Sequence, residues 1–122
     1  MVIRYASAVV TLAGILALVS GLALWFGAAP GLASMHMLLG FLTVAGLWTI
    51  GIAQAVPTGG STVLAAVAII VGALTIYVGM NQVALFSGDH HWLIQIGHLI
   101  LGVLCIGMGH MAAARQRRGI AR

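Results

Sequence analysis

The chain has 122 residues, 62% hydrophobic and 5% charged, with a formal net charge of +4. A soluble domain carries about a quarter of its residues as charges, so a self-standing soluble fold is excluded. All five basic residues are arginine (Arg4, Arg115, Arg117, Arg118 and Arg122) and the only acid is Asp89, which leaves no interleaved aromatic and basic face to read nucleic acid.

At roughly 20 apolar residues per span, the length accommodates four transmembrane helices and their turns. The expected fold class is an all-α integral membrane protein, a single up-down bundle of four helices. The first span is expected from about Tyr5 to Gly27, closing on Trp25, a ring suited to the membrane boundary. Arg4 before an apolar run resembles a signal peptide, but Ala6 to Ala29 exceeds an h-region of about 7–15 residues. It is read as a retained span. Ala28-Ala29-Pro30-Gly31 breaks it, and the second span runs from about Ala33 to Gln54 with Ser34 as the expected N-cap. Pro57-Thr58-Gly59-Gly60-Ser61 is the clearest turn. A third span is expected from about Thr62 to Phe86, carrying Asn81 and Gln82 near its far end. Asp89 would cap a fourth span from about His90 to Ala114.

Arginine placement sets the orientation. Arg4 and the Arg115–Arg122 tail both favour the cytoplasm, which four spans satisfy. The same arginines suit contact with anionic membrane lipid. The expected location is the cytoplasmic (inner) membrane of a prokaryote. Cys105 is the only cysteine and forms no internal disulfide, so cysteine usage does not decide the compartment.

Two stretches repeat. Met35-His36-Met37-Leu38-Leu39-Gly40 matches Gly97-His98-Leu99-Ile100-Leu101-Gly102 at an offset of 62. Gly14 and Gly21 answer Gly72 and Gly79 at an offset of 58, so the chain reads as two similar helical hairpins. A histidine inside an apolar span is costly and marks a functional site. In an up-down bundle the second and fourth spans are parallel and diagonal. With neighbouring axes about 8–10 Å apart, two inward imidazoles can hold one metal ion between them. Haem iron takes histidine ligands in this way. Gly40 and Gly102 share the histidine faces, and Gly14 and Gly72 would notch the flanking spans for a flat macrocycle; small residues also simply let membrane helices pack.

His36…Gly40 and His98…Gly102 in a four-span bundle resemble the four-helix membrane b-type cytochromes. The resemblance implies haem b on bundle histidines and electron exchange, often with quinone. Many such cytochromes hold two haems, whereas this chain offers one pair: His110 has no inner partner on the second span, and Gln54 is a poor substitute. One haem b, with His36 and His98 as iron ligands, is expected on the outer half. No outer arginine or lysine is present for its propionates, so His90, His91 and the fourth helix's amino end would serve.

Gln95, one turn before His98, would bond either the histidine and cofactor or a neighbouring helix. Asn81, Gln82, Trp25, Asp89 and Trp92 make the outer end polar, which suits either a quinone headgroup or plain interfacial contact. His90 and His91 point about 100° apart on a helix, against a shared metal. The methionines read as packing residues.

Both an electron relay and a quinone-linked oxidoreductase fit this reading. The alternative is a non-catalytic subunit of a larger respiratory or photosynthetic complex, holding haem or a chlorophyll-type pigment. A small transporter is disfavoured, because no acid or arginine lies within a span to relay charge.

Overall fold

The computed structural model describes residues 1–56 and 61–120, with side chains as far as Arg115 in the last helix. Four long helices carry the fold: α1 (Val2–Trp25), α2 (Ala33–Ala55), α3 (Thr62–Met80) and α5 (His91–Ile120). A single turn, α4 (Gln82–Leu85), and two 3-10 turns, Pro30–Leu32 and Gly88–His90, complete the chain. No strand occurs among the described residues. Each long helix is long and apolar enough to cross a membrane. The shortest, α3, has 19 residues, about 28 Å at 1.5 Å per residue, against a hydrocarbon core of about 30 Å.

The helix ends follow local chemistry. α1 closes on Gly27 with φ 68. Gly27 N–H donates to the Leu24 carbonyl at 3.0 Å and Ala28 N–H to the Ala23 carbonyl at 2.9 Å, the paired bonds of a Schellman cap. Ser34 does not cap α2. The 3-10 turn that begins at Pro30 runs straight into the helix, its N-cap position is Leu32, and no side chain caps there. Ser61 does cap α3, its Oγ accepting from Leu64 N–H at 3.3 Å. The rest of the expected turn, Pro57 to Gly60, lies outside the described residues.

The third span is shorter than expected. α3 ends at Met80, not at Phe86, because Asn81 leaves the helical region (φ −115, ψ 17) while its Nδ2 donates to the Tyr77 carbonyl at 2.8 Å. An asparagine amide that satisfies the last carbonyls competes with helix continuation. The chain then makes the α4 turn between the end of α3 and the start of α5. Asp89 sits within the Gly88–His90 turn, where no side-chain cap bond forms. His91 Nδ1 instead donates to the Phe86 carbonyl at 2.7 Å.

The long helices pack around a ring in the order α1, α2, α3, α5, with α2 and α5 also touching across the short diagonal. Contacts fix the directions. His36, at the start of α2, meets Ala17 and Ser20 near the end of α1, and Gly79 near the end of α3 meets His98 near the start of α5. At the opposite end, Ser7 Oγ donates to the Gly109 carbonyl and Gln54 Nε2 to the Ala112 carbonyl. Consecutive long helices are therefore antiparallel. One end of the bundle holds both histidines, and the other holds the start of α1 and the later turns of α5.

The core lies in the middle and at that second end. Val10, Val44, Leu47, Ile50 and Cys105 are the largest fully buried side chains, each 1% exposed or less. Small residues let the backbones close around them: a Cβ on Gly51 would stand 3.0 Å from Ala68 Cβ and 3.3 Å from Ala65 Cα. In lipid such packing supplies much of what holds helices together.

Candidate cofactor site

Above that core, the four long helices and the α4 turn line a half-open cavity of about 730 Å³, within the range of small-molecule and cofactor pockets, about 300–1,000 Å³. His36 from α2 and His98 from α5 both line it. Their ring centroids are 6.1 Å apart and their planes cross at 68°. Two imidazoles bonded to one metal ion by bonds of about 2.0–2.1 Å place their centroids about 6 Å apart. The spacing matches a shared ion.

Each ring lies in a notch. A Cβ on Gly21 would come within 2.8 Å of His36 Cε1, and one on Gly79 within 2.6 Å of His98 Cε1. Only glycine lets α1 and α3 approach the rings so closely. His36 Nδ1 donates to the Ala17 carbonyl at 2.9 Å, and Ser20 Oγ lies 3.3 Å away as a second acceptor. With the proton held on Nδ1, Nε2 keeps its lone pair for a ligand bond. His98 Nδ1 is buried and makes no hydrogen bond among the described residues.

The walls suit a flat, largely apolar body. Gly40 and Gly102 line the cavity; a Cβ on Gly40 would meet nothing within 4 Å, and one on Gly102 only Leu18 at 3.7 Å. Gly14 forms part of the floor, pressed against Ile106. Gln95 lines the wall on the His98 side. The polar rim consists of Asn81 and Gln82, at the α3 break and the start of α4, and His91, at the start of α5.

Gly72 is not brought to this cavity. It packs deeper, against the Trp48 indole and Val44, so its missing Cβ makes room for a tryptophan rather than for a ligand. His90 and His91 do not act together, since His90 is exposed and does not line the cavity. His110 is at the far end, with Nε2 3.3 Å from Thr11 Oγ1.

Ala17, Ser20 and Thr75 are the site residues that sequence reasoning passed over. A backbone acceptor such as Ala17 leaves no trace in residue type. Ser20, a hydroxyl one residue before a glycine of the repeat, was the available signal.

No group of three or more His, Cys, Asp or Glu side chains among the described residues is placed to hold a metal ion. Two imidazoles alone under-coordinate an ion, so any metal held here would have to bring its remaining donors with it. A metal carried in a macrocycle supplies four of them in one plane, and the donor set present fits such a group. In comparisons with protein-family models, curated proteins and solved structures, nothing matches the chain.

Proposed function

We propose that the chain is a membrane electron-transfer protein that binds one haem b between α2 and α5, with His36 and His98 as its two iron ligands. The observation that supports this reading is the approach of the two rings, with centroids 6.1 Å apart and planes crossed at 68°, on the wall of a cavity large enough for a macrocycle. When bound, haem b supplies a one-electron couple at its iron. The protein's own residues do the rest. Ala17 and Ser20 hold the His36 proton on Nδ1, Gly21 and Gly79 seat the rings, and Leu18, Leu22 and Phe41 in the lining keep water from the iron. Two imidazoles this close favour a single shared cofactor over chlorophyll-type pigments held by one histidine each.

Arg4 and the arginines from Arg115 onward favour cytoplasmic termini, which supports a site on the outer half of a prokaryotic cytoplasmic membrane. The seating of His36 on Gly21 and of His98 on Gly79 favours descent from two similar hairpins. Electrons are then exchanged at the rim with quinol or an external acceptor, as a free relay or within a larger membrane complex.

The test is spectroscopic. Protein purified in mild detergent is expected to give a b-type reduced-minus-oxidised spectrum, with a pyridine haemochrome assay near one haem per chain. The double variant His36→Ala/His98→Ala should carry none. A wild-type preparation without a chromophore overturns the reading.

A further inference from the structure

We infer that the seam between α1 and α5, at the end opposite the cavity, holds one anionic lipid whose headgroup carries hydroxyl groups, a phosphatidylglycerol. The register of the two helices sets the site. Gly14 packs on Ile106 and Val10 on Gly109, while Thr11 Oγ1 lies 3.3 Å from His110 Nε2. Continued in that register, Arg4 on α1 stands opposite position 117 on α5, which is also arginine. Each is seven residues from its own helix's member of the Thr11–His110 pair, so it falls on nearly the same face. Each is also about 10 Å nearer the membrane surface.

Between the two levels the seam carries small residues. Ala8 and Ala114 are both exposed, which leaves room beside the backbones for a headgroup. One turn deeper, a Cβ on Gly107 would meet nothing within 4 Å. Ile15 and Val103, on the same faces, are about half exposed and give an acyl chain an apolar track. The rise from His91 to His110 is about 28 Å, against a hydrocarbon core of about 30 Å. His110 therefore stands where acyl chains give way to headgroups.

Hydrogen bonding selects the headgroup. Thr11 Oγ1 donates its hydrogen to the Ser7 carbonyl at 2.9 Å, so it accepts from His110 and the ring proton sits on Nε2. The neutral ring then keeps a lone pair on Nδ1, and His110 is exposed. A polar group turned to lipid without a partner is costly. A phosphate has only acceptors to offer such a nitrogen, whereas a headgroup hydroxyl donates to it. Arginine at positions 4 and 117 suits the phosphate. A phosphoglycerol headgroup meets both demands in one molecule.

The experiment titrates the full chain in mild detergent at pH 8, with the first bound lipid counted by native mass spectrometry. The two probes are phosphatidylglycerol and phosphatidylmethanol, which has the same charge and no headgroup hydroxyl. Phosphatidylglycerol is expected to bind about five-fold more tightly, the typical effect of one hydrogen bond. His110→Phe should bring the two lipids level, with phosphatidylmethanol bound as before. Arg4→Gln should weaken both about five-fold and keep the preference. Equal affinity of the wild type for the two lipids, a preference that survives His110→Phe, or no effect of Arg4→Gln overturns the inference. Should His110→Phe fail to fold, as judged by circular dichroism, Thr11→Val is read instead. Releasing the ring should cut the preference to about two-fold or less, and an unchanged preference overturns the inference. The outcome is independent of the haem-binding reading, whose residues line the other end of the bundle.

Discussion

An imidazole can lie edge-on against a helix only where the helix carries no Cβ. Gly21 and Gly79 meet that condition, with room for a ring at 2.8 Å and 2.6 Å from the would-be Cβ positions, closer than any methyl group tolerates. Gly79→Ala is thus expected to push His98 off its seat and to weaken haem binding about ten-fold or more, measured by haem titration of the purified protein, a loss equal to about 1.4 kcal/mol. Gly40→Ala makes the informative contrast. Its methyl enters open space and improves helix propensity by up to about 1 kcal/mol, so the haem-free protein should melt no lower, while haem uptake should drop because the methyl projects into the cavity. His36, His98, Gly40 and Gly102 were legible as a repeated motif, and each lines the cavity. Gly72 was read from the same repeat and is elsewhere, because a helical glycine can serve a ligand or a neighbouring tryptophan, and only depth and facing decide which. The acceptors behind the rings were not legible, since a main-chain carbonyl belongs to every residue.

At the scale of the helices, the spans themselves were plain from unbroken apolar runs, and their ends were less so. Gly27 closes α1 through its positive φ, at the expected end of the span but by a glycine cap, where the sequence reading places the break in the Ala28-Ala29-Pro30-Gly31 stretch that follows. Asn81 ends α3 early because a side-chain amide can replace the next turn's hydrogen bond, a local choice that hydropathy does not register. Helix pairing depends on the small seams. Gly51 faces Ala65 and Ala68 at the limit of contact, and the first atom to be met beyond Ala68 Cβ is backbone. Gly51→Leu should therefore force α2 and α3 apart, at a cost of about 1–3 kcal/mol for overpacking, seen as a lower thermal midpoint in detergent. Gly31→Leu, where nothing lies within 4 Å, should leave that midpoint almost unchanged.

Across the whole molecule, the site lies at one end. The cavity, both cavity-lining histidines and the amide rim share that end, while Val10, Val44, Leu47, Ile50 and Cys105 are fully buried in the packed remainder of the bundle. If the arginine-rich termini are cytoplasmic as proposed, a membrane-impermeant reductant should reach the proposed haem in spheroplasts and fail to reach it in inverted vesicles, as followed by absorbance. Equal reduction in both would reverse or abolish the assigned sidedness.

The packed middle has an electrical consequence. Moving one charge across a whole membrane works against about 2.3 kcal/mol per 100 mV. The cavity floor is reached at Thr43, Val44, Thr75 and Cys105, near the midpoint of the helices. An electron that enters and leaves by the rim thus never crosses the lower half of the dielectric, and on a round trip it does no net work against the field. On the haem-binding reading proposed above, the protein would pass electrons without charging the membrane, so turnover between a donor and an acceptor at the rim should generate no membrane potential in sealed vesicles.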